Sequence, residues 1–389
     1  MPSASILSQI KIADMTSILF GPYCTQTLAD MGAEVVKIEP KVGDIGRNIG
    51  FSANTPLMGG MHMTVNRGKR SVVWDMKSDL GKEATRRLIE KSDVFIHNIR
   101  PDALKRLGLT FEEVKKIKKD IVYVHCLGFG NDGEYSGRPA YDDLIQGFSG
   151  ITSLIPRVDN NRDPSFFPMA IADKIGALHA VHATLAAVIR RDQTGEAVHV
   201  EVPMFECVTN FVLEDHFESA TFDPPTGNIG YERQLDPTRN PIKTKDGWVI
   251  IAPYTDDRWI VTFNLLGAPH ELEDERINNP KGRRANRQYM QERLETYIGS
   301  ETTEYWLELF NNNDIPVAPV NELEDLQKDP HLTAAKFFQK RTHPTEGDYW
   351  EMQPPIKFNG VAEKEIMPAR HIGEDTAEVL KELGLEAPE

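Results

Sequence analysis

The first part of the sequence alternates between short strand-like and helix-like segments. Strand patterns cover residues 10–15, 34–39, 71–76, 93–98, 121–126 and 197–202, and helical patterns or glycine-bearing loops lie between most of them. Parallel strands need long crossover connections, which are usually helices. The alternation therefore predicts a large, Rossmann-like, doubly wound α/β domain. The first β-α turn has only Gly21 in place of G-x-G-x-x-G, which disfavours a nicotinamide enzyme.

A second, smaller α+β domain is indicated further along the chain. Residues 222–239 are rich in Pro, Gly and Asn, as in a linker, and Asp246-Gly247 lies between two alternating runs, as in a β-hairpin. Residues 255–312 are predicted to be mostly helical, and so is the segment 323–340. We therefore assign residues 1–221 with 330–389 to a discontinuous large domain. Residues 222–329 form the linker and the small domain.

Composition excludes several classes of function. The 389 residues include 44 Lys and Arg against 59 Asp and Glu, a net charge of −15, which argues against nucleic-acid and anionic membrane partners. Cys24, Cys126 and Cys207 have no paired spacing, which suggests a reducing compartment and no zinc site. No apolar run is long enough to span a membrane. We expect a cytoplasmic protein without a bound metal.

Asp173 is the candidate catalytic residue. It follows an apolar run, and the helical pattern after it ends in cations and Gly195. An aspartate at or near a helix N-terminus is most often an N-cap. It can also be a nucleophile, kept ionised by the helix amides in apolar surroundings that exclude water. The pattern alone leaves both interpretations open.

Cations near the predicted ends of strands form a second candidate feature. Open α/β sheets bind ligands at the carboxyl ends of their strands. These cations form either an anion pocket or a set of solvated side chains, and the pattern does not decide between these two interpretations. The cations are Lys41, Arg47, Lys69, Lys77, Arg100, Arg106 and Arg138.

Short motifs in a fixed order resemble the family III CoA-transferases, which include formyl-CoA transferase, carnitine-type CoA-transferases and α-methylacyl-CoA racemases. The order and spacing make the resemblance specific, and it spans essentially the whole chain. The motifs are Phe20-Gly21-Pro22-Tyr23-Cys24-Thr25-Gln26, Val36-Lys37-Ile38-Glu39-Pro40, Asn66-Arg67-Gly68-Lys69-Arg70-Ser71, His97-Asn98-Ile99-Arg100-Pro101, Arg138-Pro139-Ala140-Tyr141-Asp142, Ala172-Asp173, Ile315-Pro316-Val317-Ala318-Pro319-Val320 and Gly373-Glu374-Asp375-Thr376.

The resemblance implies that Asp173 attacks an acyl-CoA thioester and forms a mixed anhydride. An aspartyl-CoA thioester follows, and an acceptor carboxylic acid then takes the CoA. The reaction needs an ionised carboxylate, which an ordinary aspartate with a pKa of about 3.9 provides at neutral pH. It also needs a site that excludes water. Coenzyme A is a substrate here, and no other cofactor is implied.

The resemblance also implies the surroundings of Asp173 and the assembly. Leu19 and Phe20 are expected to line the acyl pocket, and the fold is expected to be an interlocked homodimer. The residues expected to bind CoA are Trp74, Lys77, Asn98, Ile99, Arg100, Arg106, Arg138 and Tyr141.

Two departures from the family pattern narrow the activity. Leu19 stands where formyl-CoA transferase has a glutamine, which disfavours oxalate and formate. Tyr141 stands where the racemases have a histidine, so half of a two-base pair is missing and transfer is favoured over racemisation. An α-methylacyl-CoA racemase and a non-catalytic CoA-binding protein are the alternatives.

Overall fold

The computed structural model describes residues 5–159, 163–359 and 366–386. The strands in this part of the chain are β1 (Lys11–Met15), β2 (Glu34–Glu39), β3 (Lys69–Val73), β4 (Val94–His97), β5 (Val122–Leu127), β6 (Val198–Pro203), β7 (Ile242–Lys243), β8 (Trp248–Ile251), β9 (Val317–Pro319), β10 (Phe338–His343) and β11 (Gly347–Met352). The helices are α1 (Phe20–Asp30), α2 (Gly60–Val65), α3 (Asp79–Lys91), α4 (Pro101–Leu107), α5 (Phe111–Ile117), α6 (Asp142–Ser149), α7 (Leu154–Val158), α8 (Ile171–Thr194), α9 (Met204–His216), α10 (Asp256–Leu265), α11 (Pro280–Ala285), α12 (Arg287–Ile298), α13 (Thr303–Asn311), α14 (Pro330–Ala334) and α15 (Thr376–Glu382). Among these helices, none combines the length and the apolarity that crossing a bilayer would require.

The central feature is a parallel sheet with the strand order β3-β2-β1-β4-β5-β6. The order runs outward from β1 to β3 on one side and from β4 to β6 on the other. The direction of winding therefore reverses between β1 and β4, which is where open α/β sheets bind ligands. The predicted parallel α/β architecture is confirmed.

Each face of this sheet carries its own hydrophobic core, because neighbouring residues of a strand point to opposite faces. Ile12 packs with α1 and α8, whereas Ala13 packs in the other core with α3, α5 and α15. Helices thus cover both faces, and the buried strands can be almost continuously apolar.

Helix α8 carries Asp173 in its first turn and spans 24 residues. It packs closely on α1: a Cβ at Gly176 would lie 2.9 Å from Cε2 of Phe20. The helix ends at Gly195, whose φ of 69° is readily adopted only by glycine.

The described residues divide into two compact units. The first lies within Met1–Ser153, Pro164–Asp215 and Ala334–Glu389 and contains the parallel sheet. The second lies within Leu154–Asp163 and His216–Thr333. It has an antiparallel sheet, β7-β8-β9, and a core around Phe263 and Phe310. The hairpin predicted at Asp246-Gly247 is present. The sequence-based domain limits, 1–221 with 330–389 and 222–329, stay a prediction.

The helix predicted over residues 323–340 is wrong at its C-terminal end. A short 3-10 turn, Leu323–Lys328, and α14 form in the earlier part of this range. Its last residues belong to the strand Phe338–His343, which pairs with Gly347–Met352 as an antiparallel hairpin. Gly347, with a φ of 75°, follows the turn between the two strands. Pairing with a partner strand outweighs the local helical pattern, as tertiary context often does.

Candidate active site

A cleft of about 290 Å³ opens at the carboxyl ends of β1 and β4, in the first unit. Loops that follow β1, β4 and β5 line it, together with the start of α8. Seven residues predicted from the sequence meet there: Phe20, Asn98, Ile99, Arg100, Arg138, Tyr141 and Asp173. The candidate site therefore lies where the direction of winding of the sheet reverses.

Asp173 is the third residue of α8. The N-cap is Ala170, which makes no capping bond, so the N-cap interpretation of Asp173 is wrong. The backbone N–H of Asp173 donates to Oδ1 of Asp142 over 3.0 Å. Among the described residues, none donates a hydrogen bond to the Asp173 carboxylate, which leaves its oxygens available in the cleft.

The pKa of Asp173 is raised to about 7, first by burial and second by the negative charge of Asp142. The expectation of an ordinary aspartate is wrong. Loss of hydration disfavours the charged carboxylate, and the negative charge of Asp142 adds to this effect. Near neutral pH the protonated and the ionised forms are therefore both populated.

The side chain of Gln146 holds the chain segment that leads to Asp173. Its buried side-chain amide donates to Oδ2 of Asp142 over 2.6 Å and to the Met169 carbonyl over 3.1 Å, and it accepts from the Phe167 N–H over 2.9 Å. One side chain of α6 thus holds both the segment before α8 and the carboxylate that accepts from Asp173. This arrangement limits the movement of the candidate nucleophile.

The loops after β1 and β4 are bonded to each other. Oδ1 of Asn98 accepts from the Ser17 N–H, and Nδ2 of Asn98 donates to the Ser17 carbonyl, each over 3.0 Å. The Asn98 amide therefore joins the two strand-end loops. Its neighbour Ile99 accepts at its carbonyl from His125, 3.0 Å away.

Two of the predicted cations stand at the cleft. Arg100 is the N-cap residue of α4, and Arg138 lies over the ring of Tyr135 at 4.4 Å. Both side chains are exposed, and they supply positive charge in an acidic chain.

The other predicted residues lie outside the cleft lining. Leu19 is buried beside Phe20, and Trp74 is buried with its indole N–H donating to Thr85 over 2.9 Å. Lys77 and Arg106 are exposed on the surface. The structure thus brings Phe20 into the lining of the cleft without Leu19, and Asn98–Arg100 without Trp74.

Two further cations are engaged inside the protein. Arg47 donates twice to Glu39, each time over 2.6 Å, and Lys69 lies 3.6 Å from Asp14. Both side chains are almost fully buried. Arg47 and Lys69 therefore belong neither to an anion pocket nor to the solvated surface.

The sequence reasoning missed several residues of the cleft, including Ser17, Ile18, His125 and Met204. A signal for the first two was present: they follow β1 as Asn98 and Ile99 follow β4. Because β1 and β4 are adjacent at the reversal of winding, their strand-end loops had to meet.

One group of side chains in the described residues has ligands close enough for a metal ion: His343, Glu346 and His371. Both ring nitrogens of His343 are already engaged. Nε2 lies 3.0 Å from the Ala369 carbonyl, and Nδ1 lies 3.3 Å from the N–H of Glu346. Glu346 accepts from the backbone N–H of Asn54 over 2.8 Å. These hydrogen bonds connect separate chain segments, and they leave no ring nitrogen of His343 free to bind a metal ion.

Comparison with known proteins gives a consistent result. The family model described as CoA-transferase family III matches residues 7–376. A Mus musculus protein named succinyl-CoA:glutarate CoA-transferase is 28% identical over 387 residues, covering 97% of this chain and 86% of that protein. A Streptomyces coelicolor protein named formyl-CoA:oxalate CoA-transferase is 31% identical, covering 98% of this chain and 96% of that protein. The crystal structure of a CAIB/BAIF family protein from Brucella suis matches with a TM-score of 0.84 and 28% identity, covering 98% of this chain and 100% of that one.

The parallel sheet, the cleft at its reversal of winding and these matches agree. The chain belongs to CoA-transferase family III and is an enzyme of that family. The resemblance seen in the sequence motifs is confirmed.

Proposed function

We propose that the protein transfers CoA from an acyl-CoA to a carboxylic acid through covalent intermediates on Asp173. A carboxylate oxygen of Asp173 attacks the thioester carbonyl, the C–S bond breaks, and a mixed anhydride and CoA thiolate form. The thiolate then attacks the Asp173 carbonyl carbon, which gives an aspartyl-CoA thioester and frees the donor acid. An acceptor carboxylate displaces the thiolate and forms a second anhydride. The returning thiolate attacks the acceptor carbonyl and releases the new acyl-CoA and Asp173.

The observation that carries this proposal is the state of Asp173 in the cleft. Its side chain is half-buried, burial raises its pKa, and none of the described residues donates a hydrogen bond to its oxygens. A poorly hydrated carboxylate is more nucleophilic, and scarce water slows hydrolysis of the anhydride and the thioester. The apolar neighbour Phe20 favours the same exclusion of water.

We propose Arg100 and Arg138 as the contacts for the CoA phosphates, since both are exposed and line the cleft. Coenzyme A serves as a substrate, and the reaction needs no other cofactor. The named activities of the relatives make succinyl-CoA with glutarate a reasonable first pair of substrates to test. Tyr141 at the cleft still favours transfer over a racemase with a histidine there.

We also propose a homodimer. Helix α8 exposes Leu178 and Ile189 at 51% and 59%, and α9 exposes Phe211 at 56%. Leu178 and Ile189 are eleven residues apart, three helical turns, so they lie on one face of α8. Exposed apolar surface of this kind is typical of an interface between chains. Sedimentation should give one species with twice the mass of the chain, and a stable monomer at micromolar concentration would contradict the proposal.

The covalent mechanism is tested by trapping. We expect incubation with succinyl-CoA and hydroxylamine to convert Asp173 to a hydroxamate, because hydroxylamine attacks the carbonyl carbon of the aspartyl-CoA thioester and releases CoA. Peptide mass spectrometry locates the modification, and Asp143, exposed on α6, is the internal control that should stay unmodified. An unmodified Asp173 in an enzyme that turns over would contradict the mechanism. Deuterium exchange at the substrate α-carbon without an acceptor acid would support the racemase alternative, and tight binding of CoA without turnover would support the binding protein.

A further inference from the structure

The turn after β1, residues 16–18, has a strained backbone. Ile18 has a φ of 70°, a left-handed conformation that is rare for a β-branched residue. Such residues persist only where their surroundings hold them, and they occur preferentially at functional sites. Ser17 and Ile18 both line the cleft that contains Asp173.

Each residue of this turn is held by a different side chain. The Thr16 carbonyl accepts from Nζ of Lys37 over 2.7 Å, Ser17 is bonded to Asn98, and the Ile18 N–H donates to Oδ1 of Asp44 over 2.9 Å. Lys37 and Asp44 are in turn a pair, with Nζ 2.9 Å from Oδ2. Two of these three contacts therefore come from a single ion pair, and Asp14 also holds Thr16, accepting from its N–H over 2.8 Å.

This ion pair is almost completely buried, with side-chain exposures of 1% for Lys37 and 2% for Asp44. Burial raises the pKa of Asp44, but Lys37 and the N–H groups of Gly46 and Ile18 outweigh it and lower the pKa below its ordinary value. Buried ion pairs often stabilise a fold no better than apolar residues of similar size. A contribution to geometry at the cleft is therefore a better explanation for the pair than stability.

Asp44 also holds a second part of the cleft. Its Oδ1 accepts from the Gly46 N–H over 2.9 Å, and this contact caps the 3-10 turn Ile45–Asn48, from which Ile45 reaches the cleft. A Cβ at Gly46 would lie 2.9 Å from the Ile18 carbonyl oxygen, so the two segments approach closely. One carboxylate thus fixes the distance between two lining segments.

We propose that Lys37 and Asp44 are positioning residues for the CoA-transferase reaction. They hold the strained turn 16–18 and the segment of Ile45 in the arrangement that orients the acyl group toward Asp173. This inference rests on the proposed function and adds to it the residues that shape the acyl side of the cleft. The pair contacts neither Asp173 nor bulk solvent, so its effect passes through Ile18 and Ile45.

The test compares Asp44→Asn with a matched control, Asp30→Asn. Asp30 is also a buried carboxylate, paired with Arg67 over 2.7 Å, and it lies outside the cleft lining. Asp44→Asn keeps an oxygen for the two N–H groups but removes one of the three carboxylate charges that act on Lys37, the others being Asp14 and Glu39. Displacements of about 1 Å in an active site can lower rates by about 100-fold. We expect kcat with succinyl-CoA and glutarate to fall about 10- to 100-fold in Asp44→Asn. We expect the KM for succinyl-CoA and the Kd for CoA to change about threefold at most. The control should lose thermal stability with kcat within about twofold of the wild type.

A second variant, Ile18→Gly, keeps the test decisive if Asp44→Asn does not fold. Glycine adopts a φ of 70° without strain and keeps the backbone N–H that Asp44 accepts from, so this variant should fold and bind CoA. It should lose kcat because the Ile18 side chain, which the held turn presents to the cleft, is absent. Equal kcat in Asp44→Asn and Asp30→Asn at equal stability, or full kcat in Ile18→Gly, would overturn the inference while leaving the proposed function intact. A wild-type enzyme in which hydroxylamine fails to trap Asp173 would contradict the proposed function and this inference together.

Discussion

Replacing Asp173 with asparagine is expected to lower kcat by about 10⁴-fold or more, the range seen when a covalent nucleophile is removed. The amide is nearly the same size and shape but cannot form the anhydride, so no part of the covalent sequence can begin. The backbone N–H of residue 173 still donates to Asp142, and the start of α8 should therefore keep its position. Circular dichroism and CoA binding should match the wild type, and steady-state transfer between acyl-CoA and acid measures the loss.

Asp143→Asn is the matched control for this experiment. Asp143 is exposed on α6 and does not line the cleft, so its substitution should leave kcat within about twofold of the wild type. The covalent mechanism would be wrong if Asp173→Asn kept more than about a tenth of the wild-type kcat. Slow deamidation of the new asparagine is excluded by a parallel Asp173→Ala variant, which cannot regain a carboxylate.

Some features of this site were predictable because they depend on local sequence. The helical pattern after Asp173 predicted the helix that ends at Gly195, and the strand patterns predicted a parallel sheet. The ends of those strands then indicated where Asn98 and Ile99 would lie. Such inferences succeed because the hydrophobic period and the connection rules act over short stretches of chain.

The pKa of Asp173 could not be predicted in this way. It depends on burial and on Asp142, which lies thirty-one positions earlier and reaches Asp173 only in the folded chain. The left-handed Ile18 was equally hidden, since no local signal marks a β-branched residue for that conformation. Long-range packing decides both properties.

The sequence pattern also could not predict which of the cations are buried. Arg47 and Lys69 are as polar in sequence as Arg100 and Arg138, yet the first two are buried and paired within the fold. Asp14 lies on β1 and Lys69 on β3, so their pairing follows from sheet order, whereas Glu39 at the end of β2 pairs with Arg47 in the 3-10 turn that follows. Charge patterning along the chain cannot distinguish a buried pair from a ligand contact without that order.

The rate of acylation should depend on pH through Asp173. Because burial and Asp142 raise the pKa of Asp173 to about 7, kcat/KM for acyl-CoA should fall about tenfold per unit of pH below that value. Asp142→Asn removes the smaller of the two causes and keeps an oxygen for the Asp173 N–H. The midpoint should therefore move to lower pH but stay above the ordinary value, since burial remains. The Asp143→Asn control should keep the wild-type midpoint, and its CoA affinity across the same range separates binding from ionisation. A flat profile between about pH 5 and 8 would contradict the prediction.

The raised pKa of Asp173 also affects the stability of the fold. Stability is expected to be lower at the higher pH values, where the ionised carboxylate favours the reaction. A carboxyl whose pKa is higher in the folded chain than its ordinary 3.8 contributes stability below that value, and the contribution is lost as the pH rises to about 7. One pKa unit corresponds to about 1.4 kcal/mol, so the ionised Asp173 costs at most about 4 kcal/mol above pH 7, and partial contact with water lowers this figure. Asp173→Asn should therefore unfold at a higher denaturant concentration than the wild type at pH 8, and the difference should close toward pH 4. An inactive variant that gains stability only where the wild-type carboxylate is ionised would show that the fold holds its nucleophile at a cost in free energy. Equal stability of the two proteins at both pH values would mean that Asp173 is better hydrated than its position indicates.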